Sequence, residues 1–217
     1  MAKEHKFSGV FTIDGKLATK AFSKKRVYGE KIVHGYRVWD PRRSKLAAYI
    51  LKNPPSLPLR PGDTVLYLGA STGTTPSHVS DIVGKEGAVF CVEFAQRMMR
   101  ELMDVCEERE NMVPIFADAN KPSSYEDQVM GKVDLIYQDL AQRNQAEIFI
   151  KNLRHFLKPK AHGLLMVKAR SVDVTKKPSQ IYSQVEKELL KEGLDILDKR
   201  TLGPYELDHM AFAVQAR

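Results

Sequence analysis

The sequence predicts an α/β fold in which helices cover both faces of a doubly wound, mostly parallel β-sheet. From residue 54 onward, short apolar runs typical of buried strands alternate with segments of helical period. Two late strand-like runs, 194–197 and 210–214, flank a Gly-Pro turn and predict an antiparallel pair appended to that sheet. The first 38 residues contain only short strand-like runs and turns, which predict a small separate antiparallel sheet.

The predicted elements of the larger sheet follow the order strand, turn, helix. Strands are predicted over 64–68, 88–92, 112–116, 133–137 and 164–167. Four helices are predicted between and after these strands. The first ends near Val83, and the second carries Leu102 and Cys106 on one face. The third begins at Arg143 with a clean 3.6-residue period, and the fourth stops before Gly193. This alternation requires helices on both faces of the sheet.

Residues 1–53 contain signals for further strands and for one helix. Asp14-Gly15 between apolar runs indicates a β-hairpin, and 27–30 and 36–39 are two further strand candidates. Asp40-Pro41 is typical of a helix start, and that helix would stop at Asn53-Pro54-Pro55. We therefore expect two units: residues 1–53, a small basic β domain with a connecting helix, and residues 54–217, the α/β domain.

Composition narrows the class of protein. In 217 residues, 43% are hydrophobic and 28% charged, which excludes a wholly disordered chain. No apolar run approaches the roughly 18 residues that span a bilayer, and no signal-peptide core follows the N-terminus. Two cysteines, Cys91 and Cys106, cannot build a disulfide framework or a four-thiolate zinc site. We expect a soluble, cytoplasmic protein without a metal or membrane site.

The net charge of +7 is unevenly distributed. Residues 1–60 contain 14 Lys or Arg against 4 Asp or Glu, whereas residues 61–217 contain 20 against 23. A basic N-terminal part suggests a polyanionic partner, of which nucleic acid is the commonest, although a solvated basic surface would have the same composition.

The turn 68–73 indicates a nucleoside cofactor. Its glycines let the backbone approach a ligand, and it opens a helix whose free N–H groups favour polar atoms. Glu93, twenty residues beyond Gly73 and directly after the second strand, could accept both ribose hydroxyls of an adenosine. Ser71 stands where a dinucleotide motif has its second glycine, so a pyrophosphate cradle is poorly supported.

Two more acids follow strands of the predicted sheet. Asp118 comes after the third strand and Asp139 after the fourth, at the edge where such sheets bind ligands. One acid for the ribose, one near the adenine amine and one near the methionine ammonium would suit S-adenosylmethionine. An Asp in this position is also a common helix N-cap.

Several long motifs resemble those of the fibrillarins over nearly the whole chain. These motifs are 43–48, 66–75, 77–81, 92–94, 139–142 and 204–209. The resemblance implies a Rossmann-like methyltransferase fold and 2′-O-methylation of ribosomal RNA, and possibly of tRNA, guided by box C/D RNA. The chain lacks the long Gly/Arg-rich tail of eukaryotic members and is similar to the compact archaeal form. It also has no Asn-Pro-Pro-Tyr motif after the fourth strand, which favours a hydroxyl acceptor over a base nitrogen.

The family's catalytic set maps by motif onto Lys45, Asp139, Lys168 and His209. If its pKa is lowered, Lys168 could accept the hydroxyl proton or stabilise the developing oxyanion. Asp139 could orient Lys168 and face the sulfonium charge. Lys45 could hold the substrate phosphate or ribose, and His209 could orient the nucleophile.

The same resemblance implies a set of cofactor contacts. Glu93 would bind the ribose hydroxyls, Phe94 would lie against the adenine, and Asp118 and Ala119 would flank the base. The remaining contacts would come from Gly69, Ala70, Thr74, Thr75, Asp139 and Gln142.

Partners are also implied by the resemblance. They are a box C/D guide RNA with substrate rRNA, a Nop-family scaffold protein and a kink-turn-binding ribosomal-type protein. Because the chain has no RNA-recognition motif, we expect weak, salt-sensitive RNA contacts and negligible site-specific methylation by the chain alone. Two alternatives stay open at this point: a non-catalytic RNA-binding scaffold that keeps a cofactor pocket, and, with less support, a nicotinamide-dependent oxidoreductase.

Overall fold

The computed structural model describes residues 1–216, and within them two β-sheets and six α-helices follow one another along the chain. The strands are β1 (Lys3–Glu4), β2 (Val10–Ile13), β3 (Lys16–Lys20), β4 (Ile32–Val33), β5 (Tyr36–Val38), β6 (Thr64–Leu68), β7 (Ala88–Glu93), β8 (Met112–Phe116), β9 (Val133–Gln138), β10 (Leu157–Lys168), β11 (Asp195–Thr201) and β12 (His209–Gln215). The helices are α1 (Lys45–Leu51), α2 (Thr74–Val83), α3 (Gln96–Glu107), α4 (Gln145–Phe156), α5 (Ala169–Val172) and α6 (Pro178–Lys191).

The larger sheet has seven strands in the order β11-β12-β10-β9-β6-β7-β8. Its five strands from β10 to β8 are parallel, β12 runs antiparallel to β10, and β11 runs antiparallel to β12. The fold class predicted from the alternating pattern is confirmed, including the late antiparallel pair. No helix among the described residues is both long and apolar enough to cross a bilayer.

Successive side chains of the central strands pack on opposite faces of this sheet. Val65 and Tyr67 belong to one hydrophobic cluster, and Leu66 and Leu68 belong to the other. The first cluster also contains apolar side chains of α1, α2 and α3, and the second contains those of α4 and α6. Burial on both faces explains why these strands are continuous apolar runs rather than alternating ones.

The parallel strands end at a common edge. Leu68 at the end of β6 pairs with Val92 of β7 on one side and with Gln138 of β9 on the other. Lys168 is the last residue of β10, beyond the pair formed by Leu165 and Gln138. The carboxyl ends of β6, β7, β9 and β10 therefore deliver their next residues to one side of the molecule, where open α/β sheets bind ligands.

The smaller sheet is antiparallel, with the order β1-β2-β3-β5-β4. Asp14 and Gly15 have φ values of 50° and 73°, so the predicted hairpin is present with both turn residues in the left-handed region. The strand predicted over 27–30 is wrong. The carboxylate of Glu30 accepts hydrogen bonds from the N–H groups of Val27 and Tyr28 at 3.1 and 2.9 Å, which curls this segment away from an extended conformation.

The predicted start of the first helix at Asp40 is also wrong. The carboxylate of Asp40 accepts a hydrogen bond from the N–H of Arg42 at 2.9 Å, and its carbonyl accepts one from Arg43, so Asp40-Pro41 opens a turn. The helix begins four residues later, where the hydroxyl of Ser44 caps it by accepting a hydrogen bond from the N–H of Ala47. Both Asp and Ser are good N-caps, so the local sequence alone did not distinguish them.

The two sheets share one core. Val10 and Leu17 of the smaller sheet belong to the same hydrophobic cluster as Val79 and Ile82 of α2. Gly9 lies so close to α2 that a Cβ atom there would be 2.9 Å from a methyl group of Ile82. The division of the chain at residues 53 and 54 stays a prediction, because this hydrophobic core runs across it.

A buried ionic network reinforces the contact between the smaller sheet and α2. The carboxylate of Asp81 on α2 accepts hydrogen bonds from Arg37 at 2.7 Å and from Arg109 at 2.8 Å. It also accepts from the hydroxyl of Thr19 and the N–H of Phe22. Because all three charged side chains are almost entirely buried, none can exchange its partner for water.

The positive and negative charges of this network are equal in number, because His78, which lies beside Asp81, is neutral. Glu30 is the second carboxylate and pairs with Arg37 at 2.7 Å. Burial alone would raise the pKa of Glu30, but the N–H of Tyr28 and the charge of Arg37 hold it below its usual value. Burial first, and then the charges of Arg37 and Arg109, hold the pKa of His78 well below its usual value. Two carboxylates therefore face two guanidinium groups.

We predict that Asp81→Asn lowers the free energy of unfolding by about 3–5 kcal/mol, because it leaves Arg37 and Arg109 buried without their shared carboxylate. Urea denaturation followed by circular dichroism measures this difference. The matched control is Glu110→Gln, whose exposed carboxylate lies 3.9 Å from Lys85. It should cost about 0–1 kcal/mol. A loss for Asp81→Asn no larger than that of the control would contradict the prediction.

Candidate active site

A cleft of about 410 Å³ opens at the carboxyl edge of the larger sheet. It is bounded by the turn after β6, the end of β7, the first turn of α2, the loop after β9, the end of β10 and the start of α1. Its lining residues are Arg43, Lys45, Tyr67, Gly69, Ala70, Ser71, Thr74, Thr75, Pro76, Glu93, Phe94, Asp139, Leu140, Ala141 and Lys168. Most of the residues predicted from sequence for the cofactor and for catalysis are therefore in one place.

Gly69 brings the turn after β6 into contact with the loop after β9. It has a φ of 85°, and a Cβ atom at this position would lie 2.4 Å from the carbonyl oxygen of Asp139 and 2.7 Å from the side chain of Leu140. The N–H of Asp139 in turn donates to the carbonyl of Leu68 at 3.0 Å. Only glycine permits this approach, which places Asp139 directly beside the turn.

Glu93 organises the turn and the next helix. One oxygen of its buried carboxylate accepts a hydrogen bond from the N–H of Ser71 at 2.8 Å, and the other accepts from the N–H groups of Phe94 and Ala95. The oxygen that accepts from Ser71 keeps a second lone pair for a ribose hydroxyl, whereas the other oxygen already accepts two N–H groups. The neighbouring Phe94 ring is 57% exposed at the cleft, an unusual exposure for an aromatic side chain, and offers a flat apolar face to a base.

The carboxylate of Asp139 forms an ion pair with Lys45. The ammonium group of Lys45 lies 2.9 Å from this carboxylate, and both side chains are about one-fifth exposed. The hydroxyl of Thr75 donates to that of Ser44 at 3.0 Å, which holds the start of α1 against α2 and places Lys45 within reach. The expectation that Asp139 orients Lys168 is corrected here, since Asp139 is bonded to the other lysine.

Lys168 is held by its backbone and leaves its side chain free of protein partners. Gln145 accepts from its N–H at 3.0 Å and donates to its carbonyl at 3.2 Å. Over residues 1–216, no hydrogen bond or ion pair engages its ammonium group, which lines the cleft. An unpaired ammonium at this edge is available to a substrate oxygen.

His209 is the neighbour of Lys168 across the sheet, because the two form a pair in the ladder between β10 and β12. Its Nδ1 lies 2.6 Å from the carbonyl of Leu207, so Nδ1 carries the proton and donates it. Burial first, and then the charges of Lys45 and Lys168, lower the pKa of His209 despite the opposing effects of the Leu207 carbonyl and Asp139. The ring is therefore neutral at pH 7, and its buried Nε2 is an acceptor without a partner in the described part of the chain.

Three of the predicted cofactor residues, Asp118, Ala119 and Gln142, do not line the cleft. They occupy the loops after β8 and β9, which are tied together by Asn120: its side chain donates to Gln142 at 2.7 Å, and its N–H donates to Asp118 at 2.9 Å. His209 also lies outside the lining, next to Lys168. Contact between these residues and a cofactor stays a prediction.

The structure adds residues that the sequence analysis did not place in the site. Tyr67 stacks on Tyr137 with ring centroids 4.5 Å apart, and burial raises the pKa of its hydroxyl well above the usual value. The position of Tyr67 inside the motif 66–75 was the signal for it. Glu206 lies 3.9 Å from Nδ1 of His209, and its position inside the motif 204–209 was the signal for it.

The comparisons with known proteins agree with this arrangement. A family model described as Fibrillarin matches residues 1–217. A fibrillarin-like rRNA/tRNA 2′-O-methyltransferase of Thermococcus onnurineus is 50% identical over an alignment that covers 98% of each chain. The chain belongs to the fibrillarin family. The resemblance inferred from the motifs is thus confirmed over the full length.

Two solved fibrillarin structures are similar to this chain. A fibrillarin of Aeropyrum pernix with natively bound S-adenosyl-L-methionine has a TM-score of 0.89 and 42% identity, covering 99% of this chain and 97% of the other. The fibrillarin of a fibrillarin/Nop5p complex has a TM-score of 0.90 and 44% identity, covering 99% and 100%. The first shows a member of the family with the cofactor that the sequence predicted, and the second a member bound to a Nop-family protein.

We predict that Gly69→Ala weakens the affinity for S-adenosylmethionine by at least about tenfold, because the new methyl group would displace the backbone of Asp139 from the turn. Isothermal titration calorimetry measures the affinity. Gly62→Ala is a matched control: its φ of 87° imposes the same backbone strain, but a Cβ atom there meets nothing within 4 Å. Equal affinities for the two variants would show that the contact with Asp139 does not shape the site.

Proposed function

We propose that this chain transfers a methyl group from S-adenosylmethionine to a ribose 2′-hydroxyl of rRNA or tRNA. The observation that carries the proposal is the contact between Gly69 and Asp139. It joins the turn expected to hold the cofactor to a charged cluster that can act on a hydroxyl. Membership of the fibrillarin family and the activity named for the Thermococcus onnurineus relative support the same reaction.

The residues of the cleft suit this cofactor. Glu93 would accept the ribose hydroxyls, and the exposed ring of Phe94 would cover the adenine. Asp118 and Ala119 would flank the base, while the methionine end would contact Gly69, Ala70, Thr74, Thr75, Asp139 and Gln142. When bound, S-adenosylmethionine supplies an electrophilic methyl group on a positively charged sulfur, which the carboxylate of Asp139, beside Gly69, would face.

The acceptor hydroxyl needs help to lose its proton, because a ribose 2′-hydroxyl is a weak acid. Lys168 is the group best placed to act on this hydroxyl, since Lys45 is already paired with Asp139. The ammonium of Lys168 could stabilise the developing negative charge, or its neutral amine, formed after loss of a proton to solvent, could take the hydroxyl proton. Nε2 of His209 is a buried acceptor that could orient the hydroxyl by receiving its hydrogen bond. Lys45 would hold Asp139 in place and contact the substrate phosphate or ribose. Most of the rate enhancement would then come from positioning.

We predict that Lys168→Met lowers the single-turnover rate of methyl transfer by at least about 100-fold without changing cofactor affinity. The assay uses labelled cofactor and a target RNA presented by its guide in the assembled particle. Lys158→Met is the matched control, because this lysine pairs with Asp134 at the opposite edge of the sheet. Wild-type turnover by Lys168→Met, or label on a base, would contradict the mechanism.

Targeting would come from partners. The basic residues 1–60 can hold phosphates without reading bases, and a fibrillarin at 44% identity forms the complex with Nop5p. We infer that a Nop-family scaffold docks this chain, and that a box C/D guide RNA and a kink-turn-binding protein complete the particle. Base pairing with the guide would then choose the nucleotide.

We predict negligible site-specific methylation by the lone chain and efficient methylation after assembly with scaffold, kink-turn protein and guide RNA. A salt series should weaken RNA binding by the lone chain steeply, as expected for phosphate contacts. The assay compares methylation at the guided nucleotide with and without the scaffold. Correctly targeted methylation by the lone protein would contradict the partner inference, and bound cofactor without transfer in the full assembly would favour a non-catalytic scaffold.

A further inference from the structure

Glu206 brings a second carboxylate to the charged cluster at the edge of the sheet. It lies in the loop between β11 and β12, where its N–H donates to the carbonyl of Leu202 at 3.2 Å. Its side chain is only 20% exposed, and one carboxylate oxygen lies 3.9 Å from Nδ1 of His209. A carboxylate that is mostly shielded from water and close to an imidazole interacts with it more strongly than a surface pair does.

The cluster needs a second negative charge. Asp139 is bonded to Lys45 at 2.9 Å, and no ion pair within residues 1–216 joins it to Lys168. Burial, followed by the charge of Asp139, raises the pKa of Glu206, while the charges of Lys45 and Lys168 oppose that rise. Glu206 therefore interacts electrostatically with both Lys45 and Lys168. The charged and titratable groups that face it are Lys45, Tyr137, Asp139, Lys168 and His209.

We propose that Glu206 is a positioning residue of the catalytic centre, whose carboxylate balances the ammonium of Lys168 and holds the ring of His209 with Nε2 as the acceptor. Two lysines and two carboxylates then give a neutral centre before the cofactor and RNA bring their charges. The contact with Nδ1 supports the hydrogen bond from that atom to Leu207, which fixes the tautomer. The proposal rests on the methyl transfer proposed above and adds a residue outside the set of Lys45, Asp139, Lys168 and His209.

The sign of the expected pH effect follows from this geometry. An ionised carboxylate favours the protonated form of a nearby histidine, so its removal lowers the pKa of His209 further. The rate falls at acid pH when Glu206 or His209 gains a proton. Glu206→Gln abolishes the protonation of residue 206 and moves the protonation of His209 to lower pH. The acid limb of the rate profile should therefore move to lower pH, whichever group dominates it in the wild type.

The experiment combines NMR titrations with pH–rate profiles of the assembled particle. Glu206→Gln should lower the pKa of His209 by about 0.5–1 unit, move the acid limb in the same direction and reduce the rate near neutral pH by about tenfold. Glu206→Asp should restore most of the wild-type limb. Asp208→Asn is the matched control in the same loop, since that carboxylate pairs with the exposed Arg170, and it should leave the His209 titration unchanged.

A reciprocal titration tests the proposal without any activity measurement. Lys168→Met removes a charge that lowers the pKa of Glu206, so the Glu206 carboxyl should titrate at higher pH in this variant. This result would support the proposal even if Glu206→Gln fails to fold. An unmoved Glu206 titration in Lys168→Met, or a rate loss in folded Glu206→Gln with no shift on the pH axis, would overturn it. A wild-type particle that does not methylate would contradict the proposed function instead, and the titrations would still decide the role of Glu206.

Discussion

The buried carboxylate of Asp81 fixes how the two sheets of this protein meet. It must keep both Arg37 and Arg109, because an uncompensated guanidinium in the core would cost several kcal/mol. Arg37 belongs to the smaller sheet and Asp81 to α2, so the network allows one relative placement of these elements. Apolar contacts alone would hold the sheets together with less specificity. Since α2 also provides Thr74 and Thr75 to the cleft, the placement selected by the network extends to the site.

A short series of contacts connects α2 to the charged residues of the site. The hydroxyl of Thr75 bonds to that of Ser44, which caps α1 and precedes Lys45, and Lys45 pairs with Asp139. Asp139 is in turn pressed against Gly69 of the cofactor turn. Each link is local, yet together they join residues nearly one hundred positions apart in the sequence. A site built in this way is positioned by rigid elements, which is what a reaction dominated by orientation requires.

The sequence predicted those features that depend on local pattern. Apolar runs that alternate with helical periods identified the parallel sheet, and Asp14-Gly15 identified the hairpin of the smaller sheet. Glu93 and Asp139 were placed at the correct edge of the larger sheet. It failed where a side chain bonds to the backbone of nearby residues, as Glu30 does to Tyr28 in the segment that resembled a strand. It also paired Asp139 with Lys168 rather than Lys45, because only the docking of α1 determines which lysine reaches the carboxylate.

The ion pair between Lys45 and Asp139 makes the two lysines of the site chemically different. The motifs alone do not distinguish them. Lys45 shares its charge with Asp139 and thereby becomes part of the scaffold of the site. Lys168 keeps an ammonium group without a protein hydrogen bond in the described chain, beside a neutral His209 whose free nitrogen accepts. Identical side chains thus have different environments because their partners differ, and the environment of a carboxyl group likewise decides whether it acts as an acid or a base. The unpaired lysine and the unpaired nitrogen are neighbours across one pair of strands, but only Lys168 lines the cleft, whereas Nε2 of His209 is buried behind it.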